Sequence, residues 1–237
     1  MEDIKRETPD WKAIWDALRN WKPHLTNAGW WGVDSSFEKL LGSVLVQNTA
    51  WTNAYRAIQN LRSQGLNHPE AICKESEGVL VEAVRPAGLY RAKAAAIYRL
   101  SCWLHRQGGV EKVSEEIPAS DLRNALLSMK GIGPETADML LLYVFKKPAF
   151  IGDTYTRRFL SRYRGIEMNY TEVRESVLSQ FQCIKDLRLF HALLVELGKE
   201  HCRKKNPRCG GCPMNHCCVY YKDGNWNDSY FTEGETK

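Results

Sequence analysis

The stretch "LLSMKGIGPETADMLLLYVF", Leu126 to Phe145, decides the fold, because its pattern is that of two helices joined by a short glycine turn. It predicts a first helix that ends at Gly131 and a second that starts at Pro134, since proline is favoured in a first helical turn. The residues after Pro134 are apolar nearly all round, which predicts a helix buried on most sides.

The glycine turn is a candidate anion site. Backbone N–H groups of a Gly-x-Gly turn can approach an anion closely, because no side chain blocks the way. We therefore expect Gly131 and Gly133, with Lys130 beside them, to contact a phosphate group. A plain turn between two helices would use the same residues, so the turn alone does not decide between the two interpretations.

The rest of the chain also has helical periodicity. "FEKLLGSVLVQ" places its apolar residues on one stripe, with Ser35 and Glu38 spaced as a capping box, and "FHALLVELGKEHC" repeats the pattern near position 190. No alternating run is long enough to indicate a sheet. The predicted fold class is therefore all-α.

Composition narrows the function classes only a little. The 237 residues have a formal charge of +5 and a pI near 8.7, which permits nucleic-acid binding without requiring it. No apolar run is long enough to cross a bilayer and the first residues lack a signal core, so we expect no membrane partner. The expected location is the cytoplasm of a prokaryote, or otherwise the nucleus or an organelle.

Cysteine usage indicates metal binding in a reducing compartment. Of the eight cysteines, five lie at positions 202–218, whereas Cys73, Cys102 and Cys183 are scattered singly. Zinc ribbons usually present two short C-x-x-C knuckles, but this loop has one knuckle between wider gaps. That spacing favours a [4Fe-4S] cluster over zinc. The predicted ligands are Cys202, Cys209, Cys212 and Cys218.

The same loop leaves two questions open. Cys217 is adjacent to Cys218, and spacing alone does not decide which of the two is the fourth ligand. Basic residues crowd the first gap, where a loop tied by a cluster could present them to phosphates or simply leave them solvated. The candidates for phosphate contact are Arg203, Lys204 and Lys205.

Three motifs in order resemble one family. "LLSMKGIGPETAD" resembles the helix–hairpin–helix of the endonuclease III superfamily of DNA glycosylases, "IGDTYTRRF" its catalytic-aspartate segment, and the cysteine spacing its iron–sulfur loop. The resemblance covers about Trp30 to Cys218. It implies two helical lobes with damaged double-stranded DNA in the cleft between them. One lobe would be a six-helix bundle over 34–146, and the other would join 1–33 to 147–237, including the cluster loop at 202–218.

Within that superfamily, bifunctional enzymes carry a Schiff-base lysine two residues after the second hairpin glycine. This chain has Glu135 there, and a carboxylate cannot form an imine, so lyase activity is not expected. "GWWG", "VLVQNTAW", "VRPAGLY" and "GIGPETAD" are similar to the 3-methyladenine DNA glycosylase III branch, which is monofunctional. The described member of that branch lacks the cluster loop, so the chain departs from it there.

The resemblance also assigns roles to single residues. Trp30, Trp31 and Trp51, with Glu135, would form a pocket for a flipped base, although tryptophan is more often a core residue. Gln47 would enter the gap left by the flipped nucleotide. Arg157 and Arg158 are candidates for phosphate contact, with solvation as the alternative.

Asp153 is the predicted catalytic residue. An ionised carboxylate stabilises the positive charge that develops on the sugar as an N-glycosidic bond breaks, while it orients or deprotonates water. The alternative interpretation is a helix N-cap, a common role for an aspartate placed before "TYTRRFLSRY".

Three functions are compatible with these residues. The first is a monofunctional, monomeric glycosylase that removes alkylated purines. The second is an endonuclease III-like glycosylase and lyase that acts on oxidised pyrimidines. The third is a non-catalytic iron–sulfur protein that only binds DNA, although binding alone has no need of Asp153.

Overall fold

The computed structural model describes residues 8–26, 30–33 and 35–224 and confirms the all-α class, since every regular element in these ranges is helical. Residues 1–7, 27–29, 34 and 225–237 of the two predicted lobes lie outside the described residues. The chain forms two compact units that divide between 27 and 28 and between 149 and 150. We call 28–149 the bundle unit, and 1–27 with 150–237 the cysteine-loop unit.

The described part of the bundle unit contains eight α-helices, whereas the resemblance implies six. Three of them are short, since α4 and α9 have six residues each and α7 has seven. The eight are α2 (Ser36–Leu45), α3 (Trp51–Ser63), α4 (Pro69–Lys74), α5 (Glu77–Val84), α6 (Tyr90–Arg106), α7 (Val110–Glu116), α8 (Ala119–Leu127) and α9 (Pro134–Met139).

Helix α2 lies in the core of the bundle unit. It packs against α3, α6 and α9, and its apolar stripe, including Leu40, Leu41 and Leu45, is fully buried. Ser35 caps the helix as predicted, since its side chain accepts from the Glu38 N–H at 3.2 Å. The second contact expected of a capping box, from the Glu38 side chain back to the Ser35 backbone, is replaced by an ion pair. The Glu38 carboxylate lies 2.6 Å from the guanidinium of Arg62 in α3.

Helix α9 continues as one π-helical segment, Leu140–Val144, and the whole stretch Thr136–Phe145 is buried, as the sequence predicts. Its one buried carboxylate, Asp138, accepts from Arg123 of α8 at 2.8 and 3.1 Å. A bidentate guanidinium–carboxylate pair fixes orientation as well as distance, so it holds the two helices of the hairpin together.

The structure brings together two cysteines that the sequence analysis treated as single. Cys73 of α4 and Cys102 of α6 form a disulfide with their Cα atoms 5.2 Å apart. They lie 29 positions apart in sequence, and only the packing of α4 on α6 makes them neighbours. The description of scattered single cysteines therefore holds for Cys183 alone.

The described part of the cysteine-loop unit contains five α-helices: α1 (Trp11–Trp21), α10 (Thr154–Arg164), α11 (Tyr170–Leu178), α12 (Ile184–Glu200) and α13 (Val219–Lys222). Helix α1 packs on α12, and the Trp11 ring meets Phe190 edge-on at 5.9 Å. Helices α10 and α12 cross closely at Gly198, where a Cβ atom would overlap the Tyr155 ring. None of the helices in the described ranges has the length and apolar character that a membrane crossing needs.

Candidate functional site

Asp153 directly precedes the first residue of α10 and is 7% exposed. Its Oδ1 accepts from the Thr156 N–H at 2.8 Å, which is the geometry of an N-cap. Its Oδ2 lies 3.6 Å from Nε2 of His191, a buried residue of α12. The capping interpretation is therefore correct as geometry, yet the cap engages only one of the two carboxylate oxygens.

His191 is a candidate that the sequence analysis missed. The only sequence signal is a histidine inside the otherwise apolar run "FHALLV" of α12, and nothing in that run points to Asp153. The imidazole also packs edge-on against Phe150 at 6.4 Å between ring centroids. An imidazole and a carboxylate together can hold or move a proton at this place.

The hairpin turn is longer than the sequence predicts. Helix α8 ends at Leu127 and α9 begins at Pro134, so the connection runs over 128–133, whereas the sequence predicts a first helix that continues to Gly131. Tight turns form within it, because Met129 donates to Leu126 at 3.1 Å and Ile132 donates to Met129 at 3.0 Å.

The three predicted hairpin residues differ in their surroundings. The Lys130 carbonyl accepts from the Arg99 guanidinium at 2.7 and 3.1 Å, while the lysine itself is exposed. Gly131 has φ +95°, and a Cβ there would lie 3.0 Å from the Cβ of Ala96. Gly133 is exposed, and a Cβ there would meet nothing within 4 Å. The fold therefore needs a glycine at 131 but leaves open space at 133.

The predicted base pocket is an aromatic cluster centred on Trp31. Ring centroids of Trp51 and Tyr143 lie 5.3 and 5.1 Å from that of Trp31, and Trp30 stacks on Tyr143 at 6.0 Å. Gly42 of α2 makes room for the cluster, since a Cβ there would be 3.1 Å from both Trp31 and Trp51. Because of these contacts, 30–33 belong to the bundle unit and not to the lobe over 1–33 that the sequence predicted.

The members of the cluster are not equivalent. Trp31 is buried, whereas Trp30 and Trp51 are partly exposed. The Trp31 indole N–H is buried without a hydrogen-bond partner among the described residues, which costs about 1–3 kcal/mol. Such an orphaned donor is more typical of a site than of a core selected for stability alone. Tyr143 was missed, because it lies in an apolar run that the sequence predicts only as core.

Gln47 and Glu135 lie in the same unit as the cluster. Gln47 follows α2, and its side-chain amide donates to the Ser43 carbonyl at 3.3 Å and approaches the Met139 sulfur at 3.9 Å. It is half-buried, as is Glu135 in the first turn of α9. The structure thus places Gln47 beside α9 but leaves its predicted role in DNA as a prediction.

The predicted ligands Cys202, Cys209, Cys212 and Cys218 line one cavity with Phe159, Met214 and two tyrosines. Burial, and to a smaller extent the charges of the other three cysteines, raise the pKa of the Cys212 thiol to about 12. Burial likewise raises the pKa of Cys218. The four cysteine side chains therefore line one cavity that is poorly solvated.

Cys217 is outside this set. It does not line the cavity. Burial raises the pKa of the Tyr163 phenol, and Cys217, which lies near this phenol, raises it further. This geometry favours Cys218 as the fourth ligand. Within the described ranges, no three His, Cys, Asp or Glu side chains are arranged to hold a single metal ion.

Two arginines of α10 support the cysteine loop. Arg158 donates to the Cys202 carbonyl at 2.8 Å, and Arg162 donates to the Arg203 carbonyl at 2.5 Å and lies 3.6 Å from the Cys202 sulfur. The Arg158 side chain is thereby engaged within the protein, which is at odds with its predicted contact to phosphate. Arg162 was missed, because its partners lie about 40 positions away.

The other basic candidates are placed differently. Lys204 and Lys205 are exposed, while the Arg203 side chain donates back to the Lys199 carbonyl at 2.9 Å. Arg157 is half-buried, and its Nε is buried without a hydrogen-bond partner among the described residues. The exposed lysines of the loop therefore remain the most accessible candidates for phosphate contact.

Comparisons with known proteins point to one family. The model of the HhH-GPD superfamily of base excision DNA repair proteins matches residues 41–183. A candidate DNA repair glycosylase of Methanocaldococcus jannaschii is 36% identical over 200 residues, which are 80% of this chain and 88% of that protein. Endonuclease III of Sulfolobus acidocaldarius is 30% identical over 190 residues, 79% and 83% of the two chains.

Solved structures of DNA glycosylases and related enzymes are also similar to this chain. An endonuclease III–DNA complex, 22% identical, has a TM-score of 0.75 and covers 91% of this chain and 96% of its own, which shows likeness of fold. The H. pylori 3-methyladenine DNA glycosylase bound to 1,N6-ethenoadenine is 30% identical with a TM-score of 0.67, over 79% of this chain and 96% of its own.

The two hairpin glycines should respond oppositely to alanine. Gly131→Ala should lower the free energy of unfolding by about 1–3 kcal/mol, because it forces a left-handed alanine against Ala96. Gly133→Ala should change it by less than about 0.5 kcal/mol, because the added methyl enters open space. Urea unfolding of both variants measures this. Equal losses would contradict the described hairpin geometry, and reduced DNA affinity of Gly133→Ala alone would indicate that a phosphate occupies the open space.

Proposed function

We propose that this chain, which belongs to the HhH-GPD superfamily of base excision DNA repair proteins and is a DNA glycosylase, removes alkylated purines. The proposed substrates include 3-methyladenine, and the DNA strand is not cut. The observation that carries the proposal is the buried Asp153 carboxylate, with one oxygen held by an amide and the other facing His191. Its partner would be double-stranded damaged DNA, bound by a monomer in the cytoplasm of a prokaryote or in a nucleus or organelle.

The proposed chemistry follows from that carboxylate. Breaking the bond between base and sugar builds positive charge on the deoxyribose, and a nearby carboxylate stabilises it electrostatically. The Thr156 N–H fixes the orientation of Asp153, so little reorganisation is needed during the reaction. The second oxygen can then orient a water or accept its proton, and Nε2 of His191 lies 3.6 Å from it.

The aromatic cluster supports an alkylated purine as the substrate. Alkylation makes the base cationic, and a desolvated aromatic face attracts a cation by about 2 kcal/mol. Trp30 and Trp51 are the partly exposed rings of the cluster, while Trp31 and Tyr143 are buried behind them. The similarity to the H. pylori 3-methyladenine DNA glycosylase, solved with 1,N6-ethenoadenine, is in keeping with this proposal.

Glu135 supports a monofunctional enzyme. A lyase of this superfamily needs an amine that forms an imine with the sugar, and Glu135 stands at the position of that amine in bifunctional relatives. Lys130 is the nearest amine in sequence, but it precedes the glycine turn and its backbone is anchored by Arg99. We therefore assign Lys130, with Gly131 and Gly133, to a DNA phosphate.

A second candidate function comes from the relatives named endonuclease III, which favour a glycosylase and lyase that acts on oxidised pyrimidines. Under that hypothesis Lys130 would have to supply the amine. The third hypothesis, a DNA-binding protein without activity, does not account for a buried carboxylate placed beside a histidine.

Base release from defined duplexes tests the proposal. Purified protein incubated with duplexes that each hold one lesion should release free 3-methyladenine and leave an abasic strand that breaks only after heat or alkali. Borohydride should trap no covalent adduct, because no imine forms. Release of oxidised pyrimidines with trapping that disappears in Lys130→Ala would support the second candidate, and no release from any duplex would leave the third.

A [4Fe-4S] cluster held by Cys202, Cys209, Cys212 and Cys218 is part of the proposal. The donor set fits, because four soft thiols line one cavity with apolar walls and Arg162 lies beside the Cys202 sulfur. When bound, the group would cross-link three segments of the loop and so supply folding energy. Lys204 and Lys205, exposed on the first gap, would then be held in place to contact phosphates, with Arg203 beside them.

The adjacent pair Cys217 and Cys218 gives a matched test. Cys218→Ser should lose much of the iron, about four per chain in the wild type, and lower the melting temperature. Cys217→Ser makes the same atomic change one position earlier and should keep both, because Cys217 faces Tyr163. Iron analysis, visible absorption and thermal melts measure this. Iron loss in Cys217→Ser alone would reverse the assignment, and a colourless, zinc-loaded wild type would contradict the cluster.

A further inference from the structure

Lys93 is a buried cation of the bundle unit that the proposed reaction does not use. It lies in α6, is 6% exposed, and its ammonium donates three hydrogen bonds. The acceptors are the carbonyls of Leu45 at 2.9 Å, Gln47 at 2.8 Å and Ala87 at 2.7 Å. A neutral amine has only two N–H groups, so all three bonds require the charged form.

Burial of the Lys93 charge is unfavourable in free energy. Burial lowers the pKa of Lys93, because the ammonium has left water for a site whose three acceptors are neutral carbonyls. A buried charge without an opposite charge stabilises a protein less than an apolar side chain of similar size. Core packing alone would therefore be served better by methionine, which indicates that the three hydrogen bonds have a further use.

The three carbonyls belong to two loops that are distant in sequence. Leu45 and Gln47 lie at the end of α2, where the next residue, Asn48, has φ +56°. Ala87 ends the 3-10 turn Arg85–Ala87, which Leu89 follows with φ +47° and 66% exposure. Asparagine tolerates a left-handed conformation, but leucine rarely adopts one, so the surroundings must impose it on Leu89.

We propose that Lys93 is a positioning residue. Its ammonium fixes the position of these two loops relative to each other, so that Gln47 can enter the gap left by a flipped nucleotide. The inference rests on the proposed function and on the role in DNA that the resemblance implies for Gln47, since it needs the Gln47 loop to contact damaged DNA. The inference adds Lys93 to the residues that serve the proposed reaction. Lys93 would contact neither the base nor the sugar, and would act through its hydrogen bond to the Gln47 carbonyl.

A double-mutant cycle with a binding readout tests it. Wild type, Lys93→Met, Gln47→Ala and the double variant are compared for affinity to a duplex with a tetrahydrofuran abasic analogue and to the same duplex undamaged. Leu100→Ala is the control, because it removes a fully buried side chain of the same helix about two turns away from Lys93 and should lower stability. All affinities are measured well below the lowest melting temperature.

We expect Lys93→Met to lower the preference for the tetrahydrofuran duplex about 10-fold, since small misplacements of a contact residue have effects of this order or larger. Gln47→Ala should lower it similarly, and the double variant should lose no more than the worse single variant. Leu100→Ala should melt earlier yet keep the preference.

Three results would overturn the role of Lys93: an unchanged preference in Lys93→Met, additive losses in the double variant, or an equal loss in Leu100→Ala. A wild type without preference for the tetrahydrofuran duplex would remove the role of Gln47 and this inference with it. A wild type that prefers this duplex but releases no base would contradict the proposed catalytic function alone, because the cycle would still report on Lys93.

Discussion

The hydrogen bond from the Thr156 N–H to Asp153 is the interaction on which the proposed chemistry depends. It fixes the start of α10 and the orientation of the carboxylate at once, because a helix N-cap has one favoured geometry. The preceding residue must be glycine, since a Cβ at Gly152 would lie 2.8 Å from the Tyr170 carbonyl. The chain therefore delivers one carboxylate oxygen to the helix and leaves the other facing His191.

The same helix also supports the cysteine loop. Arg158 and Arg162, on α10, reach carbonyls at Cys202 and Arg203, and Gly198 of α12 allows the two helices to cross closely. A shift of α10 would move the Asp153 carboxylate and the loop together. Because these contacts are mutual, we interpret the cysteine loop as a structural support that fixes the position of α10, the helix that follows the candidate catalytic residue. This role is in addition to any contact of the loop with phosphate.

Local patterns predicted the helical class, the hairpin and the cysteine set, and the resemblance to a family pointed to Asp153, because each depends on residues close together in the chain. The features that were missed depend on long-range packing. His191 meets Asp153 across 38 positions, Cys73 meets Cys102 across 29, and Lys93 reaches Gln47 across 46. Arg158, a predicted phosphate contact, reaches the Cys202 carbonyl across 44 positions, a contact that the sequence also does not indicate.

The most direct test of the central claim is single-turnover base excision by Asp153→Asn. Asparagine also caps helices well, so the variant should keep its melting temperature and DNA affinity while excision falls by a factor of about 100 or more. Asp10→Asn is the matched control, because Asp10 caps α1 through the Ala13 N–H at 2.9 Å and should tolerate the same change without loss of activity. Near-wild-type excision by Asp153→Asn on every substrate would show that Asp153 is only a cap and would contradict the mechanism.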